Sequence, residues 1–146
     1  MRPFLHPLPT LAAVVALAAA ACGSDPTGTA GQPASAAGVY TLRTVNGAAL
    51  PAGMQTASNV VTFLADTLRL GATGGYTEVV ITQSAPPGQA ATKTDVSNVS
   101  GTYTEAGSTV SLDGTRTATR SGDSLTIVLQ PNPKLNTSTV TQLYVR

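Results

Sequence analysis

The chain has 146 residues and is only 10% charged, with eight Lys or Arg against seven Asp or Glu and a formal net charge of +1. That length suits one domain, and so neutral a surface excludes a nucleic-acid partner, which needs a basic patch to neutralise phosphates. The only histidine (His6) and the only cysteine (Cys22) lie near the N-terminus, so the remaining chain after position 22 has no histidine for a Ser-His-Asp triad and no His and Cys ligands for a zinc site.

The chain opens with a weakly positive segment containing Arg2. An apolar run of about eleven residues follows, Leu11 to Ala21, and ends in Ala18-Ala-Ala-Ala21-Cys22-Gly23-Ser24. The run is too short for a transmembrane helix, which needs roughly 20 residues, and has the parts of a secretory signal. Small residues leading into a lone cysteine resemble the lipobox of bacterial lipoproteins. The resemblance implies cleavage after residue 21, acylation of Cys22 and a lipid anchor in the cell envelope. Gly23 rather than Asp after the cysteine resembles the outer-membrane pattern, with the domain facing periplasm or cell surface. Several acyl chains anchor stably where one alone is marginal. Read without the resemblance, the same residues fit ordinary signal cleavage and a free thiol. About 125 residues remain after position 21, with seven basic and seven acidic side chains and no histidine.

Residues 22–37, rich in Gly, Pro, Ser and Ala and without periodicity, read as a flexible tether. From Gly38 onward, short runs of Thr, Val, Leu, Ile and Tyr alternate with turn residues, the signature of strands and hairpins. Eight runs are predicted. The first is Val39–Val45, closed by Asn46-Gly47. The second spans Asn59–Leu70 and is long enough to bend near Ala65-Asp66. The third is Tyr76–Gln83 and the fourth Val96–Glu105. Thr109–Leu112 then precedes the strong turn signal Asp113-Gly114. Thr115–Arg120, Ser124–Gln130 and Thr137–Val145 complete the set. No window carries a helical period. Alternation predicts a core face of Leu64, Leu68, Leu70, Val99, Tyr103, Val110, Leu112, Leu125, Ile127 and Leu129. In the last run it selects Leu143 and Val145, with Tyr144 opposed. The runs around Val79-Val80-Ile81 and Thr117-Ala118-Thr119 are ambiguous. Tight successive hairpins imply an antiparallel meander. The fold class is therefore all-β, an eight-stranded antiparallel meander closing into a barrel, with an open sandwich as the competing architecture.

Several short motifs recur in order: Gly38-Val-Tyr40-Thr41, Leu50-Pro51, Gly101-Thr-Tyr103, Gly122-Asp-Ser-Leu125 and Tyr144-Val-Arg146. Residues 38–146 resemble, through these, the lipocalin-like (calycin-type) domains of bacterial lipoproteins. Gly38-x-Tyr40 stands where lipocalins carry G-x-W, and Arg146 corresponds to the arginine that packs on that ring. The resemblance implies a barrel that encloses one small apolar ligand or is filled by its own side chains. It places Leu50 and Met54, in the loop Asn46–Ser58, over the barrel mouth. Tyr40, Leu50, Met54 and Tyr103 are accordingly the candidate ligand-binding residues, and Cys22 the lipidation site.

No cofactor, metal site or catalytic residue is expected. Glu78 and Glu105 are the only glutamates. A carboxylate pair serves glycoside cleavage only when the two flank one bond, and nothing in the spacing puts these two together. Outward, solvated positions are expected for both. Asp113, Arg116, Arg120 and Asp123 flank one hairpin, where cross-strand ion pairs are the ordinary outcome. The leading expectation is a non-enzymatic, lipid-anchored envelope protein binding a small apolar ligand or serving as an accessory. The alternative is a solid-core interaction module with an unidentified protein partner. A carboxylate-based hydrolase is disfavoured.

Overall fold

The computed structural model describes residues 35–56, 58–131 and 138–146. Cys22, the leader and most of the tether lie outside the described residues, as does Thr137. Ten strands follow in chain order: β1 (Gly38–Val45), β2 (Ala48–Ala49), β3 (Ala52–Gln55), β4 (Val60–Leu70), β5 (Gly75–Ala85), β6 (Thr94–Ala106), β7 (Thr109–Leu112), β8 (Arg116–Ser121), β9 (Ser124–Leu129) and β10 (Val140–Val145). From β4 to β10 each strand pairs antiparallel with the next. β10 pairs with β1, and Gly38–Thr41 of β1 pairs with Thr67–Leu70 of β4. The pairing closes an eight-stranded barrel, as the meander requires, and closure removes most sheet edges.

The loop 46–58 contains more order than its composition predicts. The Asn46-Gly47 turn, with φ of 52° and 80°, sends the chain back as β2 beside Thr44 and Val45, while β3 pairs with Val60–Phe63 of β4. These two short strands fill the place where β1 and β4 part. Alanine- and glycine-rich stretches of two and four residues carry too little alternation to be read as strands.

Two irregularities correct the predicted core face, and Val99, expected in that face, is 38% exposed on the one-sided stretch of β6. A bulge between Phe63 and Ala65 gives β4 one extra residue, which flips the phase of everything before it. Phe63 is buried in place of the expected Leu64. In β10 the phase is the reverse of that expected. Val140, Gln142 and Tyr144 are buried, and Leu143 and Val145 lie on the more exposed side. The aromatic ring, not the aliphatic pair, fills the barrel. Tyr40, Leu42, Leu68, Leu112, Leu125, Ile127 and Val110 complete a core with almost no exposure. Of the ambiguous runs, Val80 turns inward and Val79 outward, and Ala118 is fully buried.

The two ends differ. At one end lie the turns 71–74, 107–108 and 122–123, together with Ser35–Ala37 and Arg146. At the other end β4, β5 and β6 run past the short β7 and β8. Residues 94–101 of β6 pair with β5 and, among the described residues, with no strand on their other side.

Candidate functional site

The first end is capped. Ala36 is fully buried, and its N–H donates to Glu105 Oε2 at 2.9 Å. The Tyr40 hydroxyl donates to the Ala36 carbonyl at 2.8 Å. Arg146 lies over the Tyr40 ring, 5.2 Å from its centroid, and donates to the Ala37 carbonyl at 2.6 Å and to the Tyr40 oxygen at 3.0 Å. Gly38 leaves room for this arrangement: a Cβ would sit 2.6 Å from the Arg146 guanidinium, which would have to shift. Arg120 and Glu105 form an ion pair at 3.1 Å beside this cap, and the Tyr103 hydroxyl donates to the Gly71 carbonyl at 2.8 Å.

The second end opens into a cavity of about 570 Å³. Its walls include Phe63, Val80, Val99 and Leu129, and its inner end carries Asp66, Glu78, Arg116 and Gln142. Strand register explains the grouping. Leu68 opposes Glu78, which opposes Val99, and Asp66 opposes Val80, so all five face inward. Arg116, on the inward phase of β8 with Ala118, reaches across the barrel. Its Nη1 and Nη2 donate to the two Glu78 oxygens at 2.9 and 2.6 Å, the bidentate geometry that makes such pairs strong. Its carbon lies 5.8 Å from the Tyr76 ring centroid. From β10, the Tyr144 hydroxyl donates to Asp66 Oδ2 at 2.7 Å and lies 3.4 Å from Glu78 Oε1.

The charges in this cluster are unequally served. Asp66 is 1% exposed, and its Oδ1 has no hydrogen-bond partner among the described residues. Burial pushes its carboxyl up to about 7; the Tyr144 bond and the Arg116 charge oppose that rise, and Glu78 adds to it. Burial would lower the Arg116 guanidinium, but its bond to Glu78 holds it above the ordinary arginine value. Burial, and then the Asp66 charge, keep the Tyr144 phenol well above the ordinary tyrosine value. At the edge of the cluster, the exposed Asp113 of the β7–β8 turn lies over Gly101, where a Cβ would collide with its carboxylate. It accepts from the Thr102 N–H at 2.8 Å and the Tyr76 hydroxyl at 2.7 Å, which hold it below the ordinary aspartate value.

Glu78 is thus not on the solvated outer face: it is 3% exposed and faces the barrel interior. Glu105, by contrast, belongs to the cap. The hairpin arginines do not pair with the hairpin aspartates. Arg116 pairs with Glu78 and Arg120 with Glu105, while Asp123 lies 3.8 Å from Arg146. Of the four expected ligand-binding residues, Tyr40 belongs to the cap and Tyr103 to the core beside it. Leu50 and Met54 are partly buried against the core. The cavity's polar residues lie elsewhere, at Asp66, Glu78, Thr115, Arg116, Gln130 and Gln142. A signal for them exists in the sequence. Asp66 shares its phase with Leu68 and Leu70, Glu78 with Tyr76 and Val80, and Gln142 with Val140 and Tyr144. A lone polar residue in a buried phase of a strand marks a site or a satisfied core pair.

No family model matches the chain, and no curated protein or solved structure is similar enough to count as a match.

Proposed function

We propose that this protein is a lipid-anchored, lipocalin-like binding protein of the bacterial cell envelope. It holds a small apolar ligand in the open end of its barrel and performs no chemistry on it. The observation that carries this reading is the asymmetry of the barrel. One end is stoppered by Ala36, Tyr40 and Arg146, and the other leads to a cavity of about 570 Å³ with apolar walls, inside the usual range for small-molecule sites, ~300–1,000 Å³. The arginine packed on the ring of a Gly-x-Tyr strand supports the lipocalin resemblance, and acylation at Cys22 would supply the anchor. Native mass spectrometry of the full chain purified from membranes tests the binding. A co-purifying apolar molecule, displaced when Phe63→Trp narrows the cavity, is the expected result. No bound molecule and no uptake of an apolar fluorescent dye would refute it. Labelled palmitate should enter the wild-type chain and not Cys22→Ser; an unlabelled wild type would refute the anchor.

A second reading, docking of another envelope protein, is favoured by the one-sided β6 segment 94–101, where Val96 is 59% exposed. Such an edge accepts an added strand. A photoreactive residue at position 96 that yields no specific adduct in cells would exclude it.

A further inference from the structure

The chemistry of the cavity's inner end narrows the ligand class, given the binding reading above. Two carboxyl groups, Asp66 and Glu78, face one guanidinium, Arg116. Both terminal nitrogens of that guanidinium are committed to Glu78, so an anionic ligand meets no uncommitted cation in this cluster. Among the charged groups, what is left over is one acceptor, Asp66 Oδ1, buried and without a partner among the described residues, beside the neutral amide of Gln142. Its neighbour oxygen is already taken by Tyr144. We infer that the preferred ligand is an apolar molecule carrying a protonated amine, whose ammonium group donates to Asp66 Oδ1 while its hydrocarbon part lies against Phe63, Val80, Val99 and Leu129.

The charge balance supports this assignment. The titratable groups facing Asp66 are Glu78 from β5, Arg116 from β8 and Tyr144 from β10. With Asp66 protonated, Asp66, Glu78 and Arg116 together are neutral, and with Asp66 ionised they carry one negative charge; Asp113 lies outside the cavity lining. An ammonium therefore replaces the Asp66 proton: the O–H bond breaks, the proton leaves to solvent, and the entering cation restores neutrality. An alcohol can donate to the same oxygen without displacing a proton. A carboxylate would add a second unpaired negative charge to a low-dielectric site, which is disfavoured.

The test is calorimetric titration of the full chain with n-octylamine, 1-octanol and octanoate, in buffers of different ionisation enthalpy. The amine is expected to bind best. Its affinity should rise about tenfold between about pH 6 and about pH 8, following the ionised fraction of a carboxyl that titrates near 7. Close to one proton should be released at the lower pH and close to none at the higher. Octanol should bind with neither signature. In Asp66→Asn the amine's advantage over octanol should vanish while octanol still binds. If that variant does not fold, the wild-type proton release alone decides. Octanol or octanoate binding as tightly as the amine, or amine binding without proton release near pH 6, would overturn the amine assignment and leave the binding reading intact. Failure of all three to bind would overturn both.

Discussion

The capped end and the open end of this barrel use the same residue types to opposite effect. The chain has four tyrosines. At the cap, Tyr40 and Tyr103 donate their hydroxyls to backbone carbonyls, and Arg146 is satisfied by carbonyls and a ring face. Near the cavity, Tyr144 and Tyr76 donate to carboxylates, and Arg116 is satisfied by a carboxylate. The cap ties Ser35–Ala37 and Arg146 to the barrel and needs no net charge. The cavity cluster concentrates ionisable groups in a low-dielectric interior and leaves one oxygen over. Buried charge without full pairing costs stability, so the contrast separates an end built for closure from an end built around a polar contact.

The largest expected effect of this contrast is a pH dependence at the open end. The folded-state value of Asp66 is raised from 3.8 to about 7, so the native state keeps a proton that the unfolded chain gives up. The resulting stabilisation is fully present below about pH 4, declines as pH rises, and is gone above about pH 7, a total of order 4 kcal/mol. Asp113, shifted downward, acts in the opposite sense but below that window. Urea unfolding from about pH 4 to 8, compared between wild type and Asp66→Asn, isolates the Asp66 contribution. A difference that does not change with pH would refute the account of the cluster.

Next in size is Glu78→Ala. It leaves Arg116 inside the barrel without its carboxylate, and breaking such a pair costs about 3–5 kcal/mol. Because 27% of the Arg116 side chain is exposed, the low end, about 3 kcal/mol, is expected by chemical denaturation. Arg146→Ala at the cap should cost less, about 2 kcal/mol, from one strong charge-assisted bond and one ring contact. No change in the midpoint for Arg146→Ala would show that the cap is not held this way.

The strands were legible because antiparallel hairpins write period two and turn residues directly into the chain. Asn46-Gly47, Asp113-Gly114 and Ser121-Gly122-Asp123 punctuate the structure where expected. The site was not legible for three physical reasons. The bulge at Leu64 shifts β4 by one residue; the length of the run predicts a bend near Ala65-Asp66, but nothing in Thr62-Phe63-Leu64-Ala65 says that the bend reverses the buried phase. In β10 both phases hold apolar residues, so the choice between Leu143 and Tyr144 rests on how the closed barrel fills. And the meeting of Asp66, Glu78, Arg116 and Tyr144 depends on which strands face each other across the closed barrel, which nearest-neighbour pairing does not state. Asp66 and Glu78 were nonetheless marked by phase, as acids at buried positions.

The smallest effect tests the contrast between the two ends most directly, through two deletions of the same atom. Tyr103→Phe removes a hydroxyl that donates to a neutral carbonyl. It should cost about 1 kcal/mol, the usual net worth of such a bond, at any pH between about 5 and 8. Tyr144→Phe removes a hydroxyl that donates to Asp66, and this bond is worth more when the carboxyl is ionised. Its cost should be about 1 kcal/mol near pH 5, where Asp66 is protonated, and about 2 kcal/mol near pH 8. The Asp66 carboxyl, having lost the bond that pulls its value down, should titrate higher still, which side-chain carboxyl NMR reads independently of stability. Equal and pH-independent costs for the two tyrosines would mean that the cavity cluster is simply another satisfied part of the core.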